Sequence, residues 1–248
     1  MALIHSFEKS GNFLFKNRSY FPVALFLLAL PVIYNTDISW IDQTLRSGIT
    51  IAAIVISFAG FIVRAITIGT TPAGTSGRNT KEGQVAEQLN TGGIYSVIRH
   101  PLYLGNYLMW IGIVIFAFNF YFVLIISLGY WLYYERIMFA EERFLEKKFG
   151  QKYLDWSMTA PAFIPSFKNY KKSKLIFSFK SVLRREYSGV LATVLGFTFI
   201  DNLRVYFEYH QLYLYRYSNI ILVATIIVVL ILRTLKHNTS ILKEKGRS

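Results

Sequence analysis

Long apolar runs with few charges inside them limit this chain more than any other feature. Residues 20–34 (YFPVALFLLALPVIY), 48–68 (GITIAAIVISFAGFIVRAITI), 101–118, 120–134, 188–207 and 217–232 all approach the length of a membrane-crossing helix. In a hydrocarbon medium each backbone N–H and C=O must find its partner inside the protein, which leaves helices and closed barrels. The runs are continuous and do not alternate as barrel strands do. The sequence therefore predicts an all-α polytopic transmembrane bundle of roughly six helical spans. The run 188–207 is the weakest of them, because Asp201 and Arg204 fall in its second half.

Charge then sets an expected topology. The chain carries 27 Lys and Arg against 14 Asp and Glu, a formal net charge of +13. In a soluble domain that excess points to nucleic acid; here the excess of Lys and Arg in cytoplasmic loops explains it, and no nucleic-acid partner is expected. The basic residues fall mainly in segments 1–19, 69–100, 135–187 and 233–248, whereas the intervening loops hold only Arg46, Arg204 and Arg216. This distribution predicts a multi-pass protein with both termini in the cytoplasm, the inner-membrane cytoplasm if the source is prokaryotic. It also puts the loop 69–100 and the segment 135–187 on one face. The N-terminus lacks the pattern of a cleaved signal peptide, and Pro22 and Pro31 fit a first span better.

Several chemistries are excluded by composition. There is no cysteine, hence no disulfide, thiolate nucleophile or Cys-ligated metal. His5, His100, His210 and His237 are scattered and have no metal-ligand spacing, so no metal site is expected.

Along the chain, residues 1–19 are polar and mildly basic, and Arg64 near the end of the second run has a stem long enough to snorkel to the interface. The loop 70–82 (TTPAGTSGRNTKE) reads either as a flexible linker or as an anion-binding turn. Only Asn119 separates the third and fourth runs, which predicts a tight antiparallel hairpin with an uncharged tip. The loop entering that hairpin ends in Arg99-His100-Pro101, with Pro101 suited to the first turn of a helix. The segment leaving it carries Glu135-Arg136 and Glu141-Glu142-Arg143. A hairpin brings these groups to one membrane face, where a guanidinium, an imidazole and carboxylates form a polar pocket.

Beyond it, Met138, Glu142, Leu145, Phe149, Tyr153 and Trp156 recur at helical spacing. One reading is an amphipathic helix lying on the membrane with Tyr153 and Trp156 as interfacial aromatics. It leaves two adjacent carboxylates close to the bilayer unexplained. Residues 168–185, with Lys168, Lys171, Lys172, Lys174, Lys180, Arg184 and Arg185, read as a surface for anionic lipid headgroups.

Two motifs in order carry a resemblance. Gly93, Tyr95, Arg99, His100, Pro101, Tyr103 and Gly105 spell G-x-Y-x-x-x-R-H-P-x-Y-x-G, and Glu141, Glu142, Leu145, Phe149, Gly150 and Tyr153 spell E-E-x-x-L-x-x-x-F-G-x-x-Y. With Pro161 and Pro165 after them, they resemble the isoprenylcysteine carboxyl methyltransferase family and its phospholipid methyltransferase relatives. The resemblance covers about residues 80–166. Glu87-Gln88-Leu89-Asn90 stands where that family has a distinctive short motif.

This resemblance implies an integral membrane enzyme that uses S-adenosyl-L-methionine bound at the cytosolic face. It transfers a methyl group to a lipid or lipidated acceptor that arrives from within the bilayer. Carried over by position, Tyr95, Arg99, His100, Pro101, Tyr103, Glu141 and Glu142 would line the cofactor site. Leu89, Gly92 and Gly93 would close over it. The substrate-facing arginine falls at Arg136, and His100 would serve as base if the acceptor is an amine. Methyl transfer from a sulfonium is an in-line displacement that needs positioning and exclusion of water more than acid–base machinery. The acceptor's reactive group, whether carboxylate, amine or phosphate, stays open, as does oligomeric state. Two other functions fit a helical membrane chain: a small transporter, and a sterol-type reductase using NADPH. On this reading residues 1–166 form the catalytic core, and residues 167–248 add the basic tract and two further membrane helices.

Overall fold

The structure is a computed structural model and describes residues 2–75 and 86–247. Every regular element among them is helical. The helices are α1 (Leu3–Asn17), α2 (Phe21–Asn35), α3 (Gln43–Gly69), α4 (Pro101–Ile115), α5 (Phe120–Phe149), α6 (Gln151–Ser157), α7 (Phe179–Tyr209) and α8 (Tyr217–Asn238). By length and composition α3, α5, α7 and α8 can each cross a membrane, and two shorter apolar helices lie at 23–35 and 101–115. The expected helical membrane bundle is what the chain forms.

Local chemistry sets the helix ends. The Asp42 carboxylate accepts the Leu45 N–H at 2.9 Å and caps α3. Asn119 caps α5 in the same way, accepting the Phe122 N–H at 2.9 Å, and its own amide donates to Thr36 Oγ1 at 2.9 Å. The hairpin tip is thus tied to the end of α2. Ser178 caps α7 by accepting the Ser181 N–H at 3.1 Å.

Close approach of α3 and α4 rests on small residues. A methyl group on Gly112 would lie 2.2 Å from Ser57 Oγ and 2.4 Å from the Ala53 carbonyl; one on Gly60 would lie 2.6 Å from the Gly105 carbonyl. Ser57 Oγ also donates to the Met109 carbonyl at 2.8 Å. Small faces let helix backbones meet where hydrophobic transfer gives no drive, as in a membrane. α7 packs against α2, α3 and α4.

Three features extend or change the expectations. The polar, mildly basic N-terminal stretch forms a helix: α1 lies along α5, with Phe15 buried and Gly11 so close that a methyl group there would meet the Arg136 carbonyl at 2.1 Å. The fourth span and the amphipathic stretch as far as Phe149 are one helix. α5 runs unbroken for 30 residues until Gly150, whose φ of +54° turns the chain into α6. The stripe Met138, Leu145, Tyr153, Trp156 faces protein, so Tyr153 and Trp156 are buried and are not interfacial aromatics. Finally, the weak fifth run lies within a 31-residue helix, α7. Its Asp201 pairs with Arg216 at 2.6 Å, and Arg204 donates to the Phe116 carbonyl at 2.6 Å, so neither charge is left bare.

Candidate active site

The site forms where the C-terminal end of α3, the N-terminal ends of α4 and α7 and the C-terminal third of α5 converge. Its scaffold is the loop 93–100. Gly93 has φ +60°, a conformation that favours glycine, and it pairs with Lys171, its N–H reaching the Lys171 carbonyl at 2.8 Å. Arg99 N–H donates to the Pro161 carbonyl at 2.8 Å, His100 N–H to the Ala162 carbonyl at 3.2 Å, and Ser166 N–H to the Val97 carbonyl at 3.0 Å. The segment after α6 therefore returns to hold the loop, which gives Pro161 and Pro165 a structural place.

Arg99 is the clamp. Its Nε and Nη2 meet Glu142 Oε1 and Oε2 at 2.9 and 3.2 Å, and its Nη1 donates to the Ser157 and Ala160 carbonyls at 2.8 and 2.7 Å. Such a fork is the geometry that a guanidinium offers and an ammonium does not. Glu142 Oε1 also lies 2.9 Å from His100 Nε2, while His100 Nδ1 is 3.7 Å from Glu141 Oε2. Tyr103 O–H donates to Glu141 Oε2 at 2.7 Å and its ring stacks on His100 with centroids 5.5 Å apart. Trp156 Nε1–H donates to the Tyr95 carbonyl at 3.0 Å. Burial, then the negative charge of Glu141, pushes the Tyr95 phenol up to about 12, so it stays a neutral donor over the ordinary pH range.

These groups surround a cavity of about 290 Å³ whose walls include Tyr95, Arg99, His100, Pro101, Tyr103 and Glu141. A narrow annexe of about 20 Å³ shares Tyr95, Arg99, His100 and Glu141 and adds Gln88, Leu89 and Asn90. Seven of the residues expected at the site thus line the cavity or the annexe beside it: Leu89, Tyr95, Arg99, His100, Pro101, Tyr103 and Glu141.

Others do not reach it. Glu142 lies behind the wall, holding Arg99 and His100. Gly93 is paired with Lys171, and the Gly92 carbonyl accepts the Tyr95 N–H at 3.2 Å. Arg136 lies on the α1 side of α5, with its guanidinium 3.4 Å from the Phe7 ring centroid. Arg78 and Lys81, the basic residues of the loop 70–82, lie outside the described residues.

The cavity also holds groups that motif reasoning missed. Arg64 does not snorkel: its Nε and Nη2 meet Glu186 Oε2 and Oε1 at 2.6 and 2.7 Å, and its Nη1 meets Asn106 Oδ1 at 2.5 Å. Glu186 is only 2% exposed. Arg18 from the chain between α1 and α2, and Arg185 from the basic tract, also line the cavity. The usable signal was a charged residue inside an apolar run, which marks a site by default.

Comparison with known proteins agrees with the motifs. The phospholipid methyltransferase family pattern matches residues 46–152, which takes in α3, the site loop, α4 and α5. A protein-S-isoprenylcysteine O-methyltransferase of Schizosaccharomyces pombe is 34% identical over 77 residues, 31% of this chain and 33% of that protein. One of Tribolium castaneum is 32% identical over 83 residues, 34% of this chain and 30% of that protein. The matched stretch spans about a third of the length of these curated relatives. No solved structure matches significantly. Residues 46–152 are thus similar to the phospholipid methyltransferase family, and about a third of the chain is similar to protein-S-isoprenylcysteine O-methyltransferases.

Proposed function

We propose that the chain is an integral membrane methyltransferase that uses S-adenosyl-L-methionine and acts on a lipid or lipidated acceptor. One observation carries this reading: the R-H-P loop and Glu141 on α5, far apart in sequence, face one polar cavity at the helix ends. The donor groups suit a zwitterionic, hydroxyl-bearing cofactor. Glu141 accepts from one side-chain hydroxyl and has capacity for an ammonium or ribose hydroxyl. Arg18, Arg64 and Arg185 supply positive charge for a carboxylate. The cavity volume stands near the lower limit of small-molecule sites.

S-adenosyl-L-methionine, when bound, supplies an activated methyl group on a sulfonium. The chain then has three tasks. Tyr95, Tyr103 and Glu141 orient polar groups by hydrogen bonds. The clamp of Arg99 on Glu142 keeps His100 and the loop in place. The apolar ends of the helices exclude bulk water from the reacting atoms. A carboxylate or phosphate acceptor would need no base, and with an amine acceptor His100 would take the proton. The excess of Lys and Arg in the segments at this end of the bundle supports a cytoplasmic site with cytoplasmic termini. The exposed part of the tract 168–185 fits anionic headgroups.

Saturable binding of radiolabelled S-adenosyl-L-methionine to the purified protein in detergent is the direct test. Loss of binding in His100→Ala and Glu141→Ala is expected. Unchanged binding in both would show that the cofactor sits elsewhere, and saturable binding of NADPH in its place would favour the reductase.

A further inference from the structure

The connection between α6 and α7 joins two properties on one surface. From Met158 to Lys180 it carries Lys168, Lys171, Lys172, Lys174 and Lys180 and no acidic residue. All five lysines are exposed, and among the described residues none of them forms an ion pair. Large apolar side chains stand between and beside them. Ile164, Phe167, Ile176 and Phe179 are each at least 74% exposed.

This connection lies where membrane-crossing helices end. Ser178 N–H donates to the carbonyl of Gly69, the last residue of α3, at 2.9 Å. The Phe177 ring covers Gly69, where an added methyl group would lie 2.5 Å from it. α7 starts at Phe179, and its 31 residues rise about 46 Å, more than the ~30 Å of a hydrocarbon core. Its first turns, with Lys180 and Arg184, therefore stand among lipid headgroups. There the lysines meet headgroup charge and the apolar side chains enter the boundary of the acyl region. A soluble anion or a nucleic acid would leave Ile164, Phe167, Ile176 and Phe179 in water, so the apolar half of the surface selects a membrane.

The same connection is bonded to the loop that builds the site. Gly93 N–H donates to the Lys171 carbonyl at 2.8 Å, Arg99 N–H to the Pro161 carbonyl at 2.8 Å and His100 N–H to the Ala162 carbonyl at 3.2 Å. In the other direction Lys171 N–H donates to Ser96 Oγ at 2.9 Å and Ser166 N–H to the Val97 carbonyl at 3.0 Å. Tyr95, Arg99 and His100 ride on this loop and line the cavity. Whatever holds the connection in place holds them too.

We infer that the α6–α7 connection docks on an anionic membrane surface and that docking fixes the loop 93–100, which tightens the site. Its effect on the cofactor rests on the methyltransferase reading, whereas the docking itself does not. A surface that binds one arrangement of the connection better than others shifts the population toward that arrangement. A loop ordered beforehand leaves less ordering to be done when a ligand enters the cavity.

Nanodiscs of phosphatidylcholine, with and without phosphatidylglycerol, test this by three readouts. Since the native chain has no cysteine, Phe167→Cys carries a single environment-sensitive fluorophore, whose emission should move to shorter wavelength in the anionic disc. Hydrogen exchange at the Gly93, Arg99 and His100 amides should slow severalfold there. Labelled S-adenosyl-L-methionine should bind at least about fivefold more tightly, the lower end of ordinary coupling between sites. The variant Lys168→Gln/Lys172→Gln/Lys174→Gln/Lys180→Gln should give the phosphatidylcholine values in both discs. Emission that is the same in both discs, or equal exchange at the three amides, overturns the inference. So does an equal response to inorganic phosphate added to phosphatidylcholine discs, which would make a soluble anion the partner. Cofactor that binds equally well in both discs sinks the coupling to the site. Absence of cofactor binding in every disc, with the emission shift and the slowed exchange present, sinks the methyltransferase reading alone.

Discussion

Glu141 and Glu142, neighbours in sequence, address the two nitrogens of one imidazole: Glu142 Oε1 lies 2.9 Å from His100 Nε2 and Glu141 Oε2 lies 3.7 Å from His100 Nδ1. Only Glu141 also faces the cavity. The pair therefore divides into a ligand-facing and a supporting carboxylate. Glu141→Gln is expected to weaken binding of labelled S-adenosyl-L-methionine roughly 10- to 100-fold, the worth of a charge-assisted hydrogen bond, with little change in thermal stability. Glu142→Gln is expected to lower the unfolding temperature more than Glu141→Gln does. Detergent-phase thermal unfolding and a filter-binding assay separate the two.

Arg99 holds four acceptors on two other chain segments. Arg99→Ala should cost about 2–4 kcal/mol, the loss for breaking a buried pair discounted for the partial exposure of both partners. Arg99→Lys should recover less than half, because an ammonium cannot satisfy a carboxylate and two carbonyls together. Equal stability of the Lys variant and wild type would show that charge, not the fork, holds the loop.

The crossing of α3 and α4 has no space for a side chain at Gly112. Gly112→Ala is expected to destabilise by about 1–3 kcal/mol, as overpacking does, and to lower cofactor binding by moving α3 away from the site. Gly129 on α5 has nothing within 4 Å of an added methyl, so Gly129→Ala should leave both measurements unchanged. Since the native chain has no cysteine, disulfide trapping between introduced cysteines on α3 and α4 reports their separation directly.

Arg136 tests the motif alignment. Its guanidinium over the Phe7 ring predicts that Arg136→Ala loosens α1, seen as faster proteolysis near the N-terminus, and leaves cofactor binding intact. Loss of methyl transfer with α1 still protected would return Arg136 to the substrate.

Tyr95 gives a pH dependence with a definite sign. Its phenol titrates higher in the folded state, at about 12, than in the unfolded chain near 10, so folding favours the neutral form. The stability it contributes is complete below pH 10 and is lost as pH rises from 10 toward 12. Tyr95→Phe should therefore unfold at a higher pH than wild type in an alkaline titration followed by circular dichroism, once the lost hydroxyl is allowed for at pH 8.

The apolar runs were enough to define a helical membrane bundle, because a bilayer admits so few solutions to the backbone's hydrogen bonds. Periodicity also singled out Leu145, Tyr153 and Trp156, which pack in one buried cluster although the turn at Gly150 puts Leu145 on α5 and the two aromatics on α6. The same periodicity could not say what the face meets. Lipid headgroups and a protein wall both reward an apolar stripe, and only the return of residues 161–166 to the loop 97–100 decides for protein.

The sequence by itself determined the material of the site: an Arg-His-Pro helix entry, two adjacent carboxylates further on, and a hairpin that brings them to one end. Tertiary structure alone decided which groups face the cavity. It turned Glu141 inward and Glu142 back onto Arg99, carried Arg136 away to Phe7, and drew Arg64 and Glu186 together across 122 positions of sequence. The physical reason is that helical spacing fixes a side chain's face, whereas its partner is fixed by how closely two helices pack. For Arg64 that depends on Gly60 and Gly105, residues that carry no chemistry of their own.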